Sequence, residues 1–171
     1  MKTSLLSFVL FCLSALTAHA ASATLDLTPT TGTLTSAVLT TGPMLDRFGV
    51  GVELIAVTWV SSDAGNFVVT LPTLDGTIEC IVTDPGATAP SDNYDITLIA
   101  NGFDWLCGKG TNRDTADTEA FVPLVGDGTG AYGLTSPTTA VKVRVLGAPV
   151  LTIAAAGDAK GGIFYLYLDR R

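Results

Sequence analysis

The sequence predicts an all-β fold, an antiparallel β-sandwich of jelly-roll-like or immunoglobulin-like type. Three observations carry that expectation. Apolar and polar residues alternate with period two in several short segments, as in half-buried strands. No window sustains the 3.6-residue period of an amphipathic helix. Turn formers recur at spacings of roughly 8–12 residues, the rhythm of a sandwich or barrel. The composition agrees, with lysine scarce and Gly, Thr, Val, Leu and Ala dominant.

The chain opens with Lys2, a mostly apolar stretch from Leu5 to Leu16, and Ala18-His19-Ala20. A basic start, an apolar middle and a small-x-small end predict a signal peptide over residues 1–20, cut after Ala20. The apolar run, about a dozen residues, is shorter than the ~20 that span a bilayer. A retained anchor is the alternative, and translation from Met44 is another. Cys12 lies inside the apolar run, not at the cleavage point where a lipid-modified cysteine would stand. The expected location is therefore secreted or periplasmic.

Residues 21–47 are rich in Thr, Ser, Ala and Gly, and read as short strands (23–27, 33–39) or as an extended arm broken at Thr41-Gly42-Pro43. The sandwich domain is expected over residues 48–171. Residues 52–60 (VELIAVTWV) are apolar on both faces, which predicts a central strand. Residues 66–71 form the next strand. Asp75-Gly76 signals a tight turn. In residues 77–83, Ile78, Cys80 and Val82 fall on one phase and Glu79, Ile81 and Thr83 on the other. A Pro/Gly/Asp/Ser loop follows over 84–93. Residues 94–100 alternate, Asn101-Gly102 signals a type I′ hairpin, and 103–107 return as a short strand. Residues 108–118 are a polar loop. Residues 119–125 are a strand that Pro123 confines to an edge. After a Gly-rich loop over 126–137, Val141, Val143 and Val145 alternate with Lys142 and Arg144. Residues 150–156 and 163–168 close the sheet, with Phe164, Leu166 and Leu168 on one face and Tyr165 and Tyr167 on the other.

Composition also bounds chemistry. The chain holds 9 basic and 16 acidic residues, a net charge of −7, and loss of Lys2 with the leader deepens it by one unit. An acidic protein repels phosphate backbones and anionic bilayers, so neither nucleic acid nor, after leader removal, a membrane is an expected partner. The one histidine, His19, leaves with the leader. That excludes Ser-His-Asp and Cys-His catalysis and histidine metal sites from the mature chain. A glycosidase pair needs one carboxyl in an apolar pocket, and the acids here sit in turns or on polar strand phases. Asp92, Asn93, Asp95 and Asn112, Asp114, Asp117 offer oxygen ligands in two loops. Neither run has EF-hand spacing, and both suit ordinary turns. No catalytic residue, cofactor or metal is expected.

Two features remain. Of three cysteines, Cys80 and Cys107 survive leader removal, and an even pair in an exported chain predicts a disulfide. Closing that loop of about 28 residues would stabilise by roughly 3.5 kcal/mol. Tyr165, Tyr167, Trp59 and Trp105 could line a carbohydrate- or protein-binding face, against the alternative that strand aromatics serve packing.

Residues 83–86 (TDPG), 89–98 (APSDNYDITL), 108–119 (GKGTNRDTADTE) and the ending from Leu151-Thr152-Ile153 through residues 157–162 (GDAKGG) to Leu166-Tyr167-Leu168 resemble small β-rich proteins encoded in tailed-phage and prophage structural regions. The resemblance spans residues 48–169 and implies a virion- or tail-associated component, with no catalytic residues. Two features depart from that pattern: the leader and the cysteine pair. The expected function is a non-enzymatic structural subunit of a virion or other extracellular assembly, partnered by itself or by other structural proteins. The alternative is an exported binding module.

Overall fold

The computed structural model describes residues 21–45, 51–125 and 141–170. These form fourteen strands and no helix. They are β1 (Ala21–Thr24), β2 (Pro29–Thr31), β3 (Thr33–Leu45), β4 (Gly51–Val60), β5 (Phe67–Thr70), β6 (Leu74–Pro85) and β7 (Asp95–Ala100). There follow β8 (Phe103–Asp104), β9 (Glu119–Phe121), β10 (Leu124–Val125), β11 (Val141–Lys142), β12 (Arg144–Gly147), β13 (Val150–Ala154) and β14 (Gly161–Asp169).

Two large antiparallel sheets pack face to face, and β10 and β11 pair in a separate two-stranded sheet. The larger runs β1-β3-β4-β14-β6-β12, with β9 sharing the outer edge of β6; the smaller runs β2-β5-β13-β7-β8. Setting aside the N-terminal strands and the short β9–β11, eight strands remain. In chain order, the first, eighth, third and sixth make one sheet, and the second, seventh, fourth and fifth make the other. That alternation between sheets is the jelly-roll order. The N-terminal strands belong to the same sheets: β3 pairs with β4 along most of its length, and β2 pairs with β5.

Strand periodicity explains the core. Ile55, Val57 and Trp59 of β4, Phe164, Leu166 and Leu168 of β14, and Ile78 and Ile81 of β6 point inward from the large sheet. Phe67 and Val69 of β5, Ile96 and Leu98 of β7, and Leu151 and Ile153 of β13 meet them from the small one. Strand β4 lies between β3 and β14, as its two apolar faces predicted.

Four local expectations are corrected. Asp75-Gly76 is no turn: both residues lie in β6, paired with Leu146 and Val145. A Cβ on Gly76 would come 2.6 Å from the Asp169 carbonyl oxygen, so the glycine there admits the end of β14. The second strand of the β7–β8 hairpin stops at Asp104, because its carboxylate replaces the ladder. Asp104 Oδ1 accepts the Leu98 and Leu106 N–H groups at 3.1 Å each, and Oδ2 accepts Gly108 N–H at 3.0 Å. Residues 105–110 are then turns. Thr41-Gly42-Pro43 does not end a strand; β3 continues to Leu45 across a register shift between Thr41 and Leu45. Finally, β6 bulges where Tyr167 faces Cys80 but Leu168 faces Ile78, leaving Glu79 as the extra residue. The bulge reverses the phase, so Ile78, Ile81 and Thr83 are buried while Cys80 and Val82 turn outward.

That reversal removes the expected disulfide. Cys80 points from the outer face of the large sheet, and Cys107 is buried in the turn after β8 of the other sheet. Both remain thiols with no bridge between them. The expected leader with Cys12 and His19, and the expected Gly-rich loop 126–137, lie outside the described residues.

Candidate functional site

The outer face of the large sheet is the first candidate. Cross-strand pairing sets its rows, because directly opposed residues share a face. One row reads Thr24, Val38, Ala56, Tyr165, Val82, Ala120 across β1, β3, β4, β14, β6 and β9. The next reads Ser22, Thr40, Leu54, Tyr167, Cys80. Neither row carries a formal charge. A third, Ser36, Thr58, Ile163, Asp84, brings a carboxylate to the margin, where the Thr118 hydroxyl donates to it at 3.0 Å. Along the centre of this face, Leu54, Ala56, Ile163, Tyr165, Tyr167, Cys80 and Val82 are all half-buried.

Two of the four aromatics expected on a binding face are there, and two are not. Tyr165 and Tyr167 stand two residues apart on the central strand β14, on one side of the pleat. Trp59 is 2% exposed in the core, its ring 6.2 Å from Phe67 and 6.1 Å from Tyr94, centroid to centroid. It occupies the inner phase of β4, opposite Gly162; a Cβ on that glycine would press to 3.2 Å from the indole. Trp105 is 4% exposed, held under the turn by its N–H bond to the Leu98 carbonyl at 2.8 Å. Both tryptophans are therefore packing residues.

Burial sets the electrostatics of the face. Desolvation raises the Tyr165 phenol above its ordinary value, and the Asp84 carboxylate and Tyr167 push the same way. Desolvation likewise raises the Cys80 thiol. A hydrogen bond from the Phe121 backbone opposes this, and the Glu79 carboxylate reinforces it. Both groups stay protonated at neutral pH, so the two rows through Tyr165 and Tyr167 gain no charge and the thiol is a poor nucleophile.

The second candidate is the end of the sandwich where the β4–β5, β6–β7, β8–β9 and β13–β14 loops gather. Main-chain bonds lock them together: Ser91 N–H to Ala156 O at 2.7 Å, Gly161 N–H to Thr88 O at 2.9 Å, Ala156 N–H to Gly65 O at 2.9 Å. The Ser61 hydroxyl, buried among them, donates to Gly157 O at 2.5 Å and accepts Lys160 N–H at 2.9 Å.

Three acids of this end, Asp95, Asp114 and Glu119, are engaged by the loops themselves. Asp95 accepts Asn112 N–H at 2.9 Å, and Asp114 accepts Ala116 and Asp117 N–H at 2.6 and 3.1 Å. Glu119 accepts Asp114 N–H at 2.8 Å and pairs with Arg113 at 3.4 Å, whose guanidinium lies 5.0 Å over the Phe121 ring. The two N–H donors hold Asp114 below the usual aspartate value. Among the described residues, no three His, Cys, Asp or Glu side chains are grouped to hold a metal ion, and no helix is long and apolar enough to cross a membrane.

The fold and this face define an all-β, two-sheet domain with a neutral aromatic platform on the larger sheet. Compared with protein-family models, curated proteins and solved structures, the chain matches none.

Proposed function

We propose that the protein is a non-enzymatic structural subunit of an extracellular assembly, exported by its leader, with the outer face of the large sheet as a contact surface. The observation that carries this reading is the pair of uncharged rows through Tyr165 and Tyr167 on a chain of net charge −7. Elsewhere like charges oppose association; here two copies, or a copy and another structural protein, can meet without burying a carboxylate. The jelly-roll order is shared by viral capsid and lectin domains. This fold-level analogy agrees with the phage-structural resemblance of residues 48–169 but does not by itself assign function.

Size sets the strength. Five strands at about 4.8 Å and about six residues at ~3.3 Å give a face of roughly 500 Å². A stable interface buries about 800 Å² per partner. One contact through this face is therefore weak, and strength comes from repetition across many copies. Analytical ultracentrifugation of the exported protein tests this. The average mass should rise with concentration, and Tyr167→Asp should suppress the rise while circular dichroism is unchanged. A single monomeric species at millimolar concentration would count against the reading.

The same tyrosines favour a second reading, a carbohydrate-binding module in which sugar faces stack on Tyr165 and Tyr167. A monomer whose melting temperature rises with an oligosaccharide, and loses that rise in Tyr165→Ala, would select it.

A further inference from the structure

Among the described residues, the two larger sheets have four edges, and three are guarded against pairing with another chain. Strand β2 carries Pro29 and a register shift. Strand β8 is two residues long and ends in Asp104. The edge of β6 is covered by β12, with Arg144 bonded to Asp75 at 3.1 Å, and by β9, with Glu119 bonded to Arg113. Charge, proline, irregular register and brevity are the devices that keep edges from templating a new strand. Strand β1, the fourth edge, has none of these beyond its modest length: the side chains of Ala21-Ser22-Ala23-Thr24 are uncharged, the register is regular and all four residues are exposed.

The orientation of its backbone follows from one hydrogen bond. Leu25 N–H donates to Ala37 O at 2.8 Å, and the β1–β3 register places Ala23 opposite Leu39 and Ala21 opposite Thr41. Antiparallel ladders alternate bonded and non-bonded pairs. Ala21, Ala23 and Leu25 therefore bond to β3, while Ser22 and Thr24 turn their N–H and C=O groups away from it.

We propose that β1 is a self-pairing edge, joined antiparallel to β1 of a second copy across a two-fold axis at Ala23. Ser22 of each copy exchanges backbone hydrogen bonds with Thr24 of the other. This deepens the assembly reading above and rests on it. Charge complementarity supports the occupant. With the leader cut after Ala20, the register sets Ala21 opposite Leu25 of the second copy, and its new ammonium group beside Asp26 of that copy. The two large sheets become continuous, and Tyr165 and Tyr167 of both copies fall on one side of the joint sheet. The edge thus supplies the second contact that a roughly 500 Å² face lacks.

The test uses the exported chain and Thr24→Pro. Thr24 N–H points away from β3, so proline removes the outward donor and spares the β1–β3 bonds. Thr24→Lys, which keeps the N–H and adds a charge, is the second variant. Sedimentation should show each variant weakening self-association by about tenfold or more, with unchanged circular dichroism. Amide exchange at Ser22 and Thr24 should slow only at concentrations where the wild type associates. Association that persists in both variants, with both amides exchanging freely throughout, overturns the edge and leaves the assembly reading standing. A wild type that stays monomeric at every concentration overturns both.

Discussion

Replacing Asp104 with alanine should destabilise the domain by about 3 kcal/mol, more than most side chains outside a core. The carboxylate serves three backbone donors, Leu98 and Leu106 on Oδ1 and Gly108 on Oδ2. Gly108 is exposed, and water can replace its acceptor at little cost. Leu98 and Leu106 are buried, and each donor left without a partner costs about 1–2 kcal/mol. For a domain of this size, about 3 kcal/mol corresponds to a fall in Tm of about 6–12 °C. Asparagine is the discriminating variant. Its carbonyl oxygen can still accept from Leu98 and Leu106, and only the exposed Gly108 N–H faces the amide NH2. Asp104→Asn should therefore recover about 2 kcal/mol of the loss. Urea denaturation of both variants measures the difference. Trp105, packed beneath the same turn, should shift its emission to the red in Asp104→Ala alone. An alanine variant as stable as wild type, or an asparagine variant as damaged as alanine, would refute the account of how this turn is held.

Four further outcomes follow from the geometry. Arg170→Ala removes the guanidinium bonded to Glu53, whose side chain is 6% exposed, and should cost about 2 kcal/mol in chemical denaturation. Thiol titration of the denatured, non-reduced protein should find both Cys80 and Cys107 reactive, and prior reduction should leave Tm unchanged. Desolvation raises the Tyr94 and Tyr165 phenols, so their neutral forms stabilise the fold below their ordinary values. That stability should disappear as pH climbs through the raised values, seen as ultraviolet tyrosinate absorbance lagging behind a free-tyrosine control above pH 10. Asp114 has the opposite sign: its lowered value stabilises the 114–117 turn above the usual 3.8 and loses that effect as pH falls further. Nuclear magnetic resonance should show the Ala116 and Asp117 amide shifts titrating below that pH, and Asp114→Asn should abolish the transition.

Much of this fold is legible in the sequence wherever local pattern and tertiary context agree. The apolar run 52–60 reads as a central strand, and β4 lies between β3 and β14, with Ile55, Val57 and Trp59 in the core and Leu54 and Ala56 half-buried on the outer face. Asn101 and Gly102 both take positive φ, 53° and 77°, as a type I′ turn demands. Phe164, Leu166 and Leu168 are buried while Tyr165 and Tyr167 are not, because a regular strand preserves its phase from end to end. Pro123 separates β9 from β10, and among the described residues β9 pairs with β6 alone. The edge character of β1 was not legible. It depends on which strand lies beside it, and Ala-Ser-Ala-Thr carries no apolar phase of its own.

These departures share one physical origin: neighbours in sequence suggest one role for each residue, and a neighbour in space decides another. Asp-Gly at 75–76 favours a turn when the flanking strands must reverse. Here the reversal is made before Leu74, and the glycine admits the Asp169 main chain. Asp104 looks like one polar residue in an alternating strand until its carboxylate takes the Leu98 N–H that the ladder would have used. Cys80 is the clearest case. Strict alternation from Ile78 puts the thiol in the core, near enough to Cys107 to suggest a bridge. One extra residue, Glu79, reverses the phase beyond it. The sulfur then faces outward, with Tyr167 directly across the ladder. A bulge inserts a residue without changing composition or hydropathy, so period-two counting cannot detect it. The reversal that costs the chain its expected disulfide also buries Ile81 and Thr83 and turns Val82 outward beside Tyr165. The bulge thereby completes the two uncharged rows on which the proposed assembly contact depends.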